Sequence, residues 1–341
     1  MRRTHHRAAR VDRPGGELQV LPTDPRPPGP GQVRVDVQAA GVCGADNGTV
    51  HDTDPGAGFP IIPGHEVAGT VAEVGEHVND QLVGQRVAVG WFGGSCGHCH
   101  TCRAGDPVHC PERQVPGNSY PGGWATTITV PAMALARVPD QMPLTDAAPF
   151  GCAGVTMFNA LTSAQIPAGG RVAVVGIGGL GHLGVQFAAA MGHETIAVGR
   201  GKSKRTVSMD LGAAAYIDSE EEPPGRALHR MGGAQLIVST VPSGAMIDEL
   251  VDGLVPHGQL TLLGMDGKEW SISPDKLVAH ARSLSGHITG NPTETEAAMR
   301  FALTNGIRPM TETVPLDRAA DALAEQQAGR ARFRMVLTVD R

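Results

Sequence analysis

The sequence predicts an α/β chain of two domains, one irregular and β-rich, the other a parallel sheet with helices on both faces. Three observations carry this expectation. The first 150 residues run as short apolar stretches, such as "RVAVG" and "ATTITV", between Gly and Pro punctuation, the texture of a β-rich domain with few helices. From Arg171 onward, apolar strands alternate with helix-length segments, which means parallel strands joined by crossover helices. A length of 341 residues with 41% hydrophobic content is long for one core and comfortable for two.

Composition narrows the function classes. A net charge of −6 gives no electrostatic reason to expect a nucleic-acid or anionic-membrane partner. No stretch approaches membrane-spanning length. The basic start "MRRTHHRAAR" has no apolar run after it, so it reads as a solvated, frayed terminus rather than a signal peptide or a nucleic-acid arm. The expectation is a soluble, cytoplasmic protein. Of the six cysteines, four crowd into "CGHCHTCRAGDPVHC" while Cys43 and Cys152 stand alone. A disulfide-framed secreted domain would be smaller and would spread them, so clustered thiols point to metal.

Taken in order, "LPTDPRPPGPGQ" is a turn that enters the alternating strand "VRVDV". "RVAVVG" is a continuous apolar run, as expected of a parallel strand buried on both faces. In the following "IGGLGHLGVQFAAAMG", Leu180, Leu183, Phe187 and Met191 recur at helical spacing. "TIAVG", "AAYID", "LIVST" and "LTLLG" supply further strands. After "SLSGHITGN" the pattern ends, and a helical stretch plus a final strand, "RFRMVLTV", is expected to return to the first domain.

The glycine-rich "GIGGLG" lies directly between strand and helix. In that setting Gly176 permits the tight turn, Gly178 lets backbone approach a pyrophosphate, and Gly181 allows close helix–strand packing. Gly179 and Leu180 complete the candidate contact at the helix N-terminus, where free N–H groups favour an anion. This is the fingerprint of a Rossmann dinucleotide-binding domain. The end of the next strand, "AVGRGKSKR", puts Gly199 where an NAD site usually has a carboxylate, and Arg200, Lys202, Lys204 and Arg205 follow. A carboxylate would repel a 2′-phosphate and these bases pair with it, so Arg200 and Lys204 are read as NADP contacts.

Two metal sites are expected. Cys96, Cys99, Cys102 and Cys110 have the spacing C-x2-C-x2-C-x7-C, and four thiolates close a tetrahedron around a structural zinc. The rival is an iron–sulfur cluster, against which stand the long last gap and the lack of a second cysteine set. His98, His100 and His109 are read as bystanders. The second site joins Cys43 in "GVCGADNG", His65 and Glu66 in "PGHEVAGTVAEVG", and Cys152 in "GCAGVT". Two thiolates, an imidazole and a carboxylate suit a catalytic zinc with one position open.

With "GVCGAD", "GHEVAGTVAEVG", the cysteine cluster, "APFGCAGVT", "GIGGLGHLG" and "ARFRMVL", the chain resembles the zinc-dependent medium-chain alcohol dehydrogenases, in their cinnamyl-alcohol-dehydrogenase-like branch. The resemblance implies a GroES-like catalytic domain over residues 1–151, completed by 291–341, and a Rossmann NADP-binding domain over 152–290. Substrate would enter the cleft between them. It implies that Cys43, His65 and Cys152 ligate the catalytic zinc, with Glu66 a close or exchanging ligand and Asp46 orienting His65. Thr156 would touch the nicotinamide, Arg332 would reach the pyrophosphate, and Trp91 would line the substrate pocket. The implied protein is a homodimer that moves a hydride between NADP(H) and a small alcohol, aldehyde or ketone.

The sequence departs from that family in one loop. The usual Ser or Thr two residues after the zinc cysteine is Ala45, the frequent histidine further on is Gly48, and Gly44 lacks the basic side chain of some relatives. Thr49 or His51, through water, are the available substitutes in a proton relay. The gap also raises an alternative, NADPH-dependent reduction of C=N or activated C=C bonds, which needs no proton on the zinc-side atom.

The first prediction concerns metal content. The purified chain should hold two zinc ions, and mild chelation should remove the open-site ion first, leaving about one per chain. Visible iron–sulfur absorption would overturn the assignment of the cysteine cluster.

Overall fold

The computed structural model describes residues 6–51, 58–265 and 267–339. It divides into two compact units, Met1–Val155 with Thr289–Arg341, and Thr156–Ile288. Among the described residues no helix is long and apolar enough to cross a membrane.

The first unit opens with β1 (Arg7–Arg10) paired antiparallel to β2 (Gln19–Pro22). Residues 1–5 of the basic start lie outside the described residues, but the expectation of a frayed terminus is corrected from Arg7 onward. Ala8 and Ala9 are buried, and Arg7 forms an ion pair with Asp317 at 2.6 Å; two small apolar residues and a strand partner hold this segment down. β3 (Gln32–Val42) then alternates buried and half-buried residues, because its valines 33, 35 and 37 face the core. β4 (Val67–Val74), β5 (Arg86–Val89), β6 (Thr127–Pro131) and β7 (Leu135–Arg137) follow.

The second unit is a six-stranded parallel sheet of β8 (Arg171–Val175), β9 (Glu194–Gly199), β10 (Ala215–Asp218), β11 (Ala234–Ser239), β12 (Leu254–Leu262) and β13 (Ser283–Gly286), in the order β10-β9-β8-β11-β12-β13. The order reverses direction beside β8, the doubly wound arrangement in which ligands bind at the strands' carboxyl ends. β8 is buried from Val172 to Val175, which is why its sequence is uninterruptedly apolar. The helix Gly181–Ala190 covers it with Leu183, Val185 and Phe187.

The chain then returns to the first unit. The helix Pro292–Thr304 starts at a capping box between Asn291 and Glu294, in which each side chain bonds the other's backbone N–H. β14 (Thr311–Pro315), the helix Ala319–Gln327 and β15 (Arg334–Thr338) complete the chain's return. The sequence pattern indicated the last strand but not β14, whose half-exposed "TETVP" has no apolar run. The sheet runs β14-β15-β3-β4-β5-β7, with β6 also on β3.

Register decides what meets at one end of this sheet. β3 and β4 are antiparallel with Ala40 opposite Val67, and β15 is antiparallel to β3 with Met335 opposite Val42. The exit of β3 at Cys43, the approach to β4 at His65 and Glu66, and the start of β15 at Arg334 therefore coincide. Trp124 lies beneath them, fully buried, with its Nε1–H donating to the Gly41 carbonyl at 3.1 Å. Trp124→Phe removes the indole N–H together with one ring of a fully buried side chain. It leaves that carbonyl without its donor, a loss of about 1–3 kcal/mol, and adds the cost of the void. The expected outcome is a lower denaturation midpoint; an unchanged midpoint would show that neither the bond nor the packing of the indole contributes.

Candidate metal and nucleotide sites

Cys43 leaves β3 into the helix Ala45–His51 rather than into a bare loop. Asp46, in its first turn, is fully buried. Its Oδ2 accepts the Cys43 N–H at 2.7 Å, and its Oδ1 lies 3.0 Å from His65 Nδ1. One carboxylate thus sets both the cysteine backbone and the imidazole ring, and it leaves Nε2 as the nitrogen available to a metal. The ligand atoms of Cys43, His65, Glu66 and Cys152 all lie within 4.8 Å of one another. Cys152 belongs to the first unit with the other three, not to the start of the second domain as expected. Its segment abuts the end of β5, where the Trp91 N–H donates to the Gly151 carbonyl at 3.1 Å. The Arg113 guanidinium stacks over the Trp91 ring at 5.4 Å.

The donor set fits a cation. The two thiols are 3.9 Å apart and not cross-linked. His65 Nε2 and Glu66 Oε2 are buried without a hydrogen-bond partner, and Glu66 Oε1 has only the Arg334 ion pair, an arrangement that costs free energy unless something charged answers the free atoms. The thiol contact with Cys152, with Arg334 and His65 helping, holds the Cys43 thiol well below its ordinary range against burial. The same contact, with burial, pushes Cys152 up. Burial works against a charged His65, but the Asp46 charge and hydrogen bond outweigh it and raise that imidazole. Burial pushes the Glu66 carboxyl up to about 8, with Arg334 opposing.

Arg334 was missed in the sequence. Its side chain is 4% exposed and its Nη2 lies 2.9 Å from Glu66 Oε1, while its Nη1 donates to the Val42 carbonyl at 3.2 Å. The available signal was an arginine opening the apolar strand "RMVLT". Arg332, two residues earlier, is exposed; its Nη1 donates to the carbonyls of Gly329, Arg330 and Ala331. Thr156 is buried in the helix Ala153–Thr162 that follows Cys152. Ala45 presents only a methyl group, and His51 is exposed with its Nε2 3.2 Å from Gln327 Nε2. Thr49 is half-buried on the same helix.

The Sγ atoms of Cys96, Cys99, Cys102 and Cys110 also lie within 4.8 Å of one another. The backbone N–H groups of Cys99 and Cys102 donate to the sulfurs of Cys96 and Cys99, each at 3.4 Å. His98 and His100 are exposed, and His109 bonds Asp106 at 2.8 Å.

In the second unit Gly176 sits at φ +90°, and a Cβ on Gly181 would lie 2.0 Å from the Gly176 carbonyl oxygen. Space around Gly178 is open, Gly179 and Leu180 continue the turn, and the helix from Gly181 has no side-chain cap. This leaves a cradle for a phosphate. A Cβ on Gly199 would lie 2.3 Å from the Tyr216 hydroxyl, which donates to the Gly201 carbonyl at 2.7 Å. Tyr216 therefore fills the place that an NAD-type carboxylate would need. Arg200 extends into solvent with its Nε 3.4 Å from Glu220 Oε1, and Lys204 is half-buried in the turn. Tyr216 and Glu220 were not singled out in the sequence, although both lie in or beside "AAYID".

The Arg334–Glu66 pair yields a prediction. Arg334→Met should destabilise the first unit by up to about 3–5 kcal/mol above pH 8, where Glu66 is ionised, and by less below it, where the carboxyl takes up a proton. Adding Glu66→Gln should recover part of that loss, measured as the coupling in a double-mutant cycle of unfolding free energies. Simple additivity would show that Arg334 is not what neutralises Glu66.

Comparison with known proteins agrees with this geometry. Residues 29–140 match the alcohol dehydrogenase GroES-like domain, and residues 179–304 match the zinc-binding dehydrogenase model. The chain is 38% identical to the alcohol dehydrogenase notN of Aspergillus sp. (strain MF297-2), over 92% of each chain. It is 34% identical to the NADP-dependent alcohol dehydrogenase C of Mycobacterium bovis, again over 92% of each. The solved structure of the cinnamyl alcohol dehydrogenase SbCAD4 from Sorghum bicolor superposes with a TM-score of 0.89 at 28% identity, covering 98% of this chain and 97% of that one. With a GroES-like domain, a Rossmann-type domain and this degree of identity along its length, the chain belongs to the zinc-dependent medium-chain alcohol dehydrogenases and is similar to their cinnamyl-alcohol-dehydrogenase branch.

Proposed function

We propose that the protein is an NADP-dependent alcohol dehydrogenase, working also as an aldehyde or ketone reductase, with Cys43, His65 and Cys152 holding a catalytic zinc and Glu66 beside it. The observation that carries this reading is the buried donor set of two uncross-linked thiols with the unpartnered His65 Nε2 and Glu66 Oε2, which together suit a cation. Cys96, Cys99, Cys102 and Cys110 hold a second, structural zinc. When bound, zinc supplies Lewis acidity toward a substrate oxygen and NADP(H) supplies the redox chemistry.

The chain's own residues do the rest. Asp46 fixes the His65 tautomer and raises its basicity as a ligand. Arg334 balances the Glu66 charge, so that this buried carboxylate can stand beside two thiols. The turn Gly176–Gly181 receives the pyrophosphate, with Arg332 and Thr156 as further cofactor contacts. Arg200 and Lys204 read the 2′-phosphate, and Tyr216 behind Gly199 keeps a competing carboxylate out. Trp91 lines the substrate pocket. Ala45 contributes no proton relay, and Thr49 or His51 with water takes that part. The relatives' names are those of alcohol dehydrogenases, which favours carbonyl chemistry over the C=N and C=C alternative. The same reading makes the protein a cytoplasmic homodimer.

The test is turnover of an aldehyde and alcohol panel with each cofactor. NADPH should be preferred, and Cys43→Ala should abolish turnover while NADPH still binds. Arg200→Ala should weaken NADPH about tenfold with NADH little changed, the low end for a charge-assisted contact because Arg200 is solvated. Equal loss for both cofactors would remove Arg200 from phosphate reading.

A further inference from the structure

Two turns of opposite charge face each other at the carboxyl ends of β9 and β10. The first carries Arg200, Lys202, Lys204 and Arg205; the second carries Asp218, Glu220 and Glu221. Asp218 is 5% exposed, and its Oδ1 accepts the N–H of Gly201 at 2.8 Å and the N–H of Glu220 at 3.0 Å. Tyr216 pins the same turn through the Gly201 carbonyl. Buried bonds thus fix the spacing of the two backbones, while the charged tips stand in solvent. There Arg200 Nε lies 3.4 Å from Glu220 Oε1, and Lys202 Nζ lies 2.7 Å from Glu221 Oε1.

We propose that Glu220 and Glu221 are specificity-determining residues of the nucleotide site: Glu220 occupies Arg200, a cation that reads a 2′-phosphate, Glu221 occupies the neighbouring Lys202, and that phosphate must displace Glu220 and approach Glu221 to bind. The proposal rests on the NADP reading above. Exposed pairs of this kind are weak, so a doubly charged phosphate can exchange with them. Once displaced, the carboxylates stay close because Asp218 holds their backbone, and they repel the incoming charge. Both effects act on the 2′-phosphate and neither acts on a ribose hydroxyl. The acidic turn therefore lowers the discrimination that the basic turn alone would give.

The double variant Glu220→Gln/Glu221→Gln, titrated calorimetrically with 2′,5′-ADP, 5′-AMP, NADPH and NADH, tests this without relying on turnover. The expected result is about three- to tenfold tighter binding of 2′,5′-ADP and NADPH, from two weak pairs and the lost repulsion. Binding of 5′-AMP and NADH should change little, and the gain should shrink as added salt screens the turn. Glu194→Gln, which removes a carboxylate from the Arg171 pair in the same unit, should reproduce none of it. Unchanged 2′,5′-ADP binding in the double variant, with NADPH still preferred and Arg200→Ala still costly, would overturn the proposal and leave the NADP reading standing. Indifference of the wild type, the double variant and Arg200→Ala alike to the 2′-phosphate would overturn both. An equal gain for 5′-AMP, or the same gain in Glu194→Gln, would mark a general charge effect and overturn the proposal alone.

Discussion

Neutralising buried charge is the constraint around which the first unit is built. Cys43, Glu66 and Asp46 are all buried and Cys152 is half-buried beside them, so four acidic groups share one small volume. Moving such groups out of water is costly, and only opposite charge at close range offsets it. Asp46 is answered by His65 and the Cys43 N–H, and Glu66 by Arg334. The thiols and the remaining lone pairs suit a cation, in keeping with a zinc-binding dehydrogenase. The sheet register serves this requirement: β15 must lie against β3 with Met335 opposite Val42 for Arg334 to reach Glu66.

The same requirement explains a glycine that has nothing to do with turn flexibility. A Cβ on Gly41 would lie 2.0 Å from Glu66 Oε2, so the carboxylate occupies the space that any other residue would fill. The Gly41 N–H donates to the Glu66 carbonyl at 2.7 Å, and its own carbonyl takes the Trp124 N–H. The glutamate is thus wedged against strand β3 from one side and held by Arg334 from the other. The helix downstream is fixed as well, since Asn47 exchanges hydrogen bonds with Gln326 and Gln327.

What was legible in the sequence was local. The cysteine spacing, "GIGGLG" between strand and helix, and "GHE" each encode their geometry within a few residues, and the apolar texture of β8 to β12 announces a sheet buried on both faces. What was not legible depends on pairing across long separations. Arg334 becomes a partner of Glu66 only through the register of a strand that follows almost the whole chain. Tyr216 explains Gly199 only because β10 lies beside β9, with Asp218 opposite Gly199. Cys152 looked like the first residue of the nucleotide domain because "GCAGVT" runs straight into a helix; the backbone contact of Gly151 with the end of β5 puts it in the first unit instead.

The protein uses the same chemical pair, arginine with glutamate, in two ways that solvent distinguishes. Arg334 and Glu66 are 4% and 0% exposed, so separating them leaves a charge in a poorly polarisable interior, and the pair is permanent architecture. Arg200 and Glu220 are 86% and 60% exposed at a comparable separation, so water replaces either partner at small cost. A permanent pair suits a site whose ligands must not move while a bond is made or broken. An exchangeable one suits a surface that must release its own carboxylate to admit a phosphate and take it back when the nucleotide leaves. Burial, more than residue identity, therefore decides which ion pairs in this chain hold structure and which take part in recognition.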